Sequence, residues 1–443
     1  MKNKVEPKTL SGFMELMPQD QILFDKIKNV IEEVYSNYGF YKLDTPIIES
    51  SEVLLAKAGG ETEKQIYRFN KGDNDLSLRF DLTVPLAKYV AKRYNDLVFP
   101  FKRYQIGKVY RGERPQKGRF REFYQCDIDV IGNGQLSLLY DAEIPSVIYD
   151  IFKKLDFGDF VIRINNRKIL SGFFEELGLT DKVTDILRIV DKLEKIGISE
   201  VRNELEKLEI SSERVCKIIE FISIDGDNQG KIKKLIDLNI ENVKFNEGLK
   251  ELKFVIDNLK ALNLDIDSYM IDLTIARGLD YYTGTVYETQ LKDYPSIGSV
   301  CSGGRYDDLA SYYTDKKLPG VGISIGLTRL FYQLREVNLI KDNDVSVADI
   351  TVLPMTDNYE YVYKFTNILR KNNISVDVCF LEKGFKHLMK YADRQKTPYV
   401  IIIGDDEVEN NNVILKNMFN GEQQDVNIDN IVCEYEKCKK KIM

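Results

Sequence analysis

Apolar residues at Ile27, Val30, Ile31, Val34, Tyr35 and Tyr38 recur at three- and four-residue steps, which predicts a helix over 21–38 with one buried face. Gly39 closes it, and FYKLDTPIIE then reads as a strand broken by Pro46. The segment 76–93, LSLRFDLTVPLAKYVAKR, predicts a short strand, a turn and a helix that starts near Pro85. Asp81 and Thr83 suit the cap of that helix. Residues 103–130, RYQIGKVYRGERPQKGRFREFYQCDIDV, alternate apolar and polar positions on both sides of a polar loop, the pattern of a hairpin. The first arm ends in Arg111, and the second carries Gln125, Asp127 and Asp129 on one face.

From about 166 to 262 charged residues dominate, and Ile186, Ile189, Val190 and Leu193 fall at helical spacing. This stretch predicts a helical insertion. Strand-like runs with Gly- and Tyr-rich turns return over 271–329, and EVNLIKDNDVS (336–346) reads as a linker. Beyond it, ADITVLP, SVDVCF, YVIII and VILKNM read as strands, with helices at 357–372 and 384–396 between the first three. That alternation predicts a compact α/β domain with a mainly parallel sheet. It carries no GxGxxG or phosphate-binding glycine loop.

Composition narrows the chemistry. The 443 residues suffice for two to three domains, and 43% hydrophobic with 30% charged residues is ordinary for a globular protein. No apolar run is long enough for a membrane helix, and MKNKVEPKTLSGF lacks the apolar core of a signal peptide. A cytoplasmic location is the expectation. The six cysteines form no CxxC pair, so reduced thiols are expected. With a single histidine, His387 in a lysine-rich stretch, neither a His/Cys metal site nor a Ser–His mechanism is available. Chemistry must rest on arginines, carboxylates, hydroxyls and any metal bound through oxygen. The net charge of −7 confines nucleic-acid contact to local patches.

The hairpin is such a patch. Between Arg111 and Arg121 there are five basic residues and one acid, with Phe120 and Phe123 interleaved among the arginines. Guanidiniums can hold a bent polyphosphate while an aromatic ring stacks a purine. Three more segments add to it: IARGLDYYTGTVYE (275–288) sets Arg277 beside a tyrosine pair, SGGRYDDL (302–309) allows close backbone approach at its glycines, and GVGISIGLTRLF (320–331) places Arg329 at a helix start.

These four segments, in this order, resemble the histidyl-tRNA synthetases among class II aminoacyl-tRNA synthetases. The hairpin is similar to motif 2, the last segment to motif 3, and the helix–Gly39–Pro46 segment to motif 1, which usually builds a dimer interface. RGLDYY and GGRYD are particular to the family. The resemblance spans essentially the whole chain. It implies an α+β chain: a class II antiparallel sheet flanked by helices, with a helical insertion and a C-terminal α/β anticodon-binding domain. The implied boundaries are a catalytic domain at 1–165 and 263–335, the insertion at 166–262 near the tRNA acceptor stem, the linker at 336–346 and the anticodon-binding domain at 347–443.

The implied reaction is histidine plus ATP to histidyl-adenylate, then transfer to the 3′ end of tRNA(His), with release of AMP and pyrophosphate. Both reactants of the first step are anionic, so charge must be cancelled and geometry fixed. By resemblance, Arg111 holds the α-phosphate. Arg119 and Arg329 grip the distal phosphates with Glu113 in the same ATP site, and Phe123 stacks on adenine. Arg277 bridges the histidine carboxylate and the α-phosphate, and Mg²⁺ rides on the β- and γ-phosphates. Asp81, Thr83 and Gln125 match acceptors for the ammonium. Asp129, Tyr282 and Tyr306, with Tyr281 adjacent, match the imidazole pocket, and Asp127 is either structural or part of it. Arg114 and Gln116, flanking Pro115, match the bacterial-type loop at the first base pair of the tRNA. Asp81 and Asp129 stand where many members carry Glu, which changes the reach of the hydrogen bonds. The rival readings are a regulatory paralogue of the ATP phosphoribosyltransferase type, which usually lacks the catalytic arginines and the C-terminal domain, and another class II synthetase, which would lack RGLDYY and GGRYD. A homodimer is expected.

Overall fold

The structure, a computed structural model, describes residues 4–56, 61–114, 118–275, 282–340 and 346–440. It divides into two compact units, Met1–Glu15 with Ile27–Leu339, and Leu16–Lys26 with Ile340–Met443.

The larger unit is built on an eight-stranded sheet. Its strands are β1 (Tyr41–Lys42), β2 (Phe101–Tyr110), β3 (Glu122–Ile131), β4 (Phe160–Asn166), β5 (Tyr269–Ile271), β6 (Tyr282–Leu291), β7 (Cys301–Tyr306) and β8 (Gly320–Ile325). Across the sheet the order is β1-β2-β3-β8-β7-β6-β4-β5, antiparallel except for the two outermost pairs. The hairpin is therefore real: Tyr110 lies opposite Glu122, and the register runs without a bulge to Phe101 opposite Ile131. The helix Leu139–Leu155 covers one face of the sheet, burying Ile144, Val147, Ile148 and Ile151 completely. At about 1.5–3 kcal/mol per large aliphatic side chain removed from water, such rows dominate the stability of the layer.

The first predicted helix runs Pro18–Asn37, and Gly39 takes φ 74°, the left-handed conformation a glycine terminator supplies. The strand expected across Pro46 is instead two: Tyr41–Lys42 joins the large sheet, while Ile48–Ser50 joins a three-stranded sheet with Arg68–Lys71 and Asn74–Leu78. A proline cannot donate to a ladder, so the chain changes sheet there. The helix expected near Pro85 begins at Thr83.

The charged stretch folds as helices from Arg167–Glu176 to Val243–Ala261, within the larger unit. Polar buried groups tie it to the edge strand β5. Asn228 accepts from the Ile271 N–H at 2.7 Å and donates to the Tyr269 carbonyl, and the Lys231 ammonium donates to the Ile271 carbonyl at 2.8 Å. These contacts satisfy an edge that would otherwise expose bare backbone.

The smaller unit carries a five-stranded sheet: Val376–Val378, Ile350–Met355, Tyr399–Gly404, Asn412–Asn417 and Gln423–Asn427, in that order. Two pairings are parallel and two antiparallel, so the mainly parallel sheet expected from sequence is corrected to a mixed one. Only the helix Asp405–Glu409 separates Tyr399–Gly404 from Asn412–Asn417. A parallel return needs a crossover of a dozen or more residues, so this short link reverses the chain.

Candidate active site

Strand β3 is the centre of the site. Its rear-face residues Cys126, Ile128 and Val130 are fully buried, as expected for a core strand. Its front-face residues Gln125, Asp127 and Asp129 are polar and yet nearly as buried, at 8%, 2% and 3% exposure. Burying carboxylates costs several kcal/mol unless they are partnered.

Register supplies the partners. Asp129 stands opposite Arg103 on β2, and the Arg103 Nη2 lies 2.7 Å from Asp129 Oδ2, with neither side chain more than 4% exposed. Arg103 also donates to the Leu82 carbonyl. From the other side, the Tyr306 hydroxyl donates to Asp129 Oδ1 at 2.7 Å. Two glycines of β8 make that possible. A Cβ on Gly322 would lie 2.4 Å from Asp129 Oδ1, and one on Gly320 would lie 2.4 Å from the Tyr306 ring. Burial pushes the Asp129 carboxyl up to about 6 against the pull of Arg103 and Tyr306. Burial also pushes Asp127 up to about 7, with Asp129 adding to the rise and Arg103 opposing it. Burial holds the Tyr306 phenol well above its usual range, so it remains a donor.

Gln125 donates to the Ser324 hydroxyl at 2.7 Å, while its Oε1 and Asp127 Oδ1 are buried with no hydrogen-bond partner among the described residues. Unpartnered buried acceptors on one face are what a ligand with several N–H donors would satisfy. Asp81 is buried nearby in the chain leading to the helix Thr83–Lys92, and its Oδ1 accepts from the Val84 N–H at 2.9 Å. It therefore caps that helix, as its sequence suggested, and burial raises its carboxyl too. Thr83, buried, is the first helical residue rather than the cap. Tyr282 lies opposite Tyr306 on β6 and is half-buried.

Beyond Gln125 the face turns basic. The Arg111 guanidinium lies 4.4 Å from the Phe80 ring centroid and 5.1 Å from that of Phe123, and its Nε donates to the Phe80 carbonyl. Phe123 is half-buried. Phe120 packs edge-on against Tyr332 at 5.4 Å, so of the two interleaved aromatics it belongs to the framework. Arg119 pairs loosely with Glu113, 3.6 Å apart, and Arg114 is exposed. Arg329 sits in the first turn of the helix Leu327–Glu336, which the Thr328 hydroxyl fixes to β3 by accepting from the Tyr124 N–H at 2.8 Å. Burial and the charge of Arg119 pull Arg329 below its usual value. Two guanidiniums close enough to repel each other form a natural polyanion site.

Arg277, Tyr281, Pro115 and Gln116 lie outside the described residues. His387 is exposed on the helix Phe385–Arg394. Among the described residues no group of three His, Cys, Asp or Glu side chains is arranged to hold a metal ion. Sequence reasoning gave no role to Arg103, although it ends up as the buried counter-charge of the pocket. The available signal was its place in the hairpin, opposite Asp129 once the turn is known.

An antiparallel sheet with this motif 2 hairpin, and a motif 3 strand leading into a helix with an arginine in its first turn, defines the catalytic core of a class II aminoacyl-tRNA synthetase. The family model described as Histidyl-tRNA synthetase matches residues 12–330, and one described as Anticodon binding domain matches residues 349–437. The Histidine--tRNA ligase of Clostridium tetani is 57% identical over 432 residues, covering 97% of this chain and 98% of the relative. That of Finegoldia magna is 50% identical over 428 residues, covering 97% and 99%. The crystal structure of histidyl-tRNA synthetase from Nostoc sp. PCC 7120 superposes with a TM-score of 0.90 at 41% identity, covering 98% of this chain and 100% of that one. The chain belongs to the histidyl-tRNA synthetase family, and so to the aminoacyl-tRNA ligases.

Proposed function

We propose that this chain activates histidine with ATP and transfers it to the 3′ end of tRNA(His), using the residues of the buried front face. The observation that carries the reading is the buried polar face of Gln125, Asp127 and Asp129 with Tyr306, together with the guanidiniums of Arg111 beside Phe123 and of Arg329 near Arg119. Asp129 and Tyr306, with Tyr282 opposite, read the imidazole, whose two nitrogens need one acceptor and one donor. Asp81, Thr83 and Gln125 take the ammonium. A site that hydrogen-bonds a polar group rejects analogues lacking it by about 10⁴–10⁵.

For ATP, Arg111 neutralises the α-phosphate while Phe123 stacks on adenine, and Arg119, Glu113 and Arg329 hold the distal phosphates. Arg277 bridges the attacking carboxylate and the α-phosphate, and Tyr281 is a further histidine-binding residue. These groups fix an in-line approach between two anions and stabilise charge that grows on the phosphoryl oxygens. A Mg²⁺ held by the triphosphate beside Arg119 and Arg329 would supply hard-cation charge neutralisation.

Arg114 and Gln116 would meet the acceptor end of the tRNA, and the smaller unit its anticodon. The working unit would be a homodimer in the cytoplasm. The short edge strand β1 with exposed Tyr41, and the neighbouring exposed Ile48, offer the apolar surface such an interface needs. No helix among the described residues is long and apolar enough to cross a membrane.

The test is ATP–pyrophosphate exchange with each of the twenty amino acids. Exchange with histidine alone is expected. Exchange with another amino acid, or none with histidine in a folded preparation, would overturn the reading.

A further inference from the structure

In the GGRYD segment Arg305 is not used by the pocket. Gly304 and Tyr306 belong to the front face, opposite Gly322 and Gly320. Arg305, between them, leaves the sheet on the rear face, where it is 7% exposed. There its Nε lies 3.0 and 3.1 Å from the two carboxylate oxygens of Asp141, which is wholly buried in the first turn of the helix Leu139–Leu155. Its Nη2 donates to Asp141 Oδ2 and to the carbonyls of Leu136 and Ser137, the latter two at 3.2 Å. The Tyr287 hydroxyl of β6 donates to the Asp141 carbonyl at 2.7 Å, which ties the same turn to the next strand.

The location of this clamp matters. On the β8 side the ladder of β7 runs unbroken to Tyr306 opposite Gly320, but on the β6 side the register shifts between Gly304 and Tyr306, so only one neighbour holds the end of β7 regularly. Arg305 lies at that break. Successive side chains on a strand point to opposite faces. Holding Arg305 to the rear therefore sends Tyr306 to the front, toward Asp129. A planar guanidinium with three carboxylate contacts and two carbonyl bonds fixes direction as well as distance, which a lysine cannot do.

We propose that Asp141 and Arg305 are positioning residues: their buried pair sets the turn of β7 that aims the Tyr306 hydroxyl at Asp129, and so controls affinity for the amino-acid side chain from the far side of the sheet. This rests on the reading of Tyr306 and Asp129 as the imidazole pocket.

The test compares Asp141→Asn, Arg305→Lys, Tyr306→Phe and the double variant Asp141→Asn/Tyr306→Phe by histidine-dependent pyrophosphate exchange, with active sites titrated. Asp141→Asn is expected to raise KM for histidine about tenfold or more while KM for ATP stays within about twofold. The double variant should be no worse than the worse single, because both changes undo one contact. A structural role alone would lower the fraction of active enzyme, leave both KM values unchanged, and multiply with Tyr306→Phe; that pattern overturns the proposal. Should Asp141→Asn not fold, Arg305→Lys retains the buried charge and is read by the same two KM values, with unchanged KM for histidine again overturning it. An unchanged KM for histidine in Tyr306→Phe would instead refute the pocket reading itself.

Discussion

Replacing Asp127 by Asn should stabilise the folded protein at neutral and alkaline pH and weaken its hold on histidine. The side chain is 2% exposed on the front face of β3, within the field of Asp129 and Arg103. Burial carries its carboxyl from 3.8 to about 7. At about 1.4 kcal/mol per pH unit, the ionised form costs the native state roughly 4 kcal/mol above pH 7. The raised value fixes the sign. Above about 7 both folded and unfolded chains are ionised and the cost is fully present. As pH falls toward 3.8 the folded chain takes up its proton first, and the cost disappears. An amide of the same shape never carries the charge, at a penalty of about 1 kcal/mol if its N–H₂ is imperfectly bonded. The Asn variant should therefore be more stable by about 2–3 kcal/mol at pH 8, with the difference shrinking toward zero near pH 4. Urea unfolding at pH 8, 6.5 and 5 measures it. A chain that keeps a carboxylate where an amide would fold better is using the charge, so KM for histidine should rise about tenfold with KM for ATP little changed. A stability difference that does not vary with pH would refute the assignment of the buried charge, and an unchanged KM for histidine would return Asp127 to a purely structural role.

Three other outcomes are expected. Arg277→Ala should cripple pyrophosphate exchange while histidine binding by calorimetry stays near that of the parent, because its charge is needed most as the phosphoryl centre develops; near-normal exchange would remove it from the chemistry. The active protein should have a dimeric mass by light scattering, and a fully active monomer would dismiss the role given to the Tyr41 edge. In the smaller unit Tyr359, Tyr363 and Phe380 are about half exposed, with the Tyr363 and Phe380 rings 5.8 Å apart. Each stacked base is worth about 1–3 kcal/mol, so Tyr363→Ala/Phe380→Ala should raise KM for tRNA at least tenfold and leave pyrophosphate exchange untouched, whereas equal charging at low tRNA would place the anticodon elsewhere.

What the chain discloses in one dimension follows the range of the forces involved. The hairpin was legible because alternation and a polar loop are local, and the pairing of Tyr110 with Glu122 then fixes every opposed residue back to Phe101 and Ile131. The cap at Asp81 was legible for the same reason, since the N–H it accepts from lies three residues away. Arg103 was not, because its partner Asp129 is fixed only when the turn is known. Asp141 and Arg305 were still less so: 164 positions separate them, and nothing local marks an aspartate in a first helical turn as a buried ion-pair partner rather than a favourable dipole charge. The mixed sheet of the smaller unit was missed although its cause is local, a connection too short for a crossover. The difference matters for function. The residues that touch substrate sit in motifs, because the chemistry dictates their type. The residues that aim them are dictated only by what lies behind the sheet, so their identity emerges when the two faces of β7 are seen together.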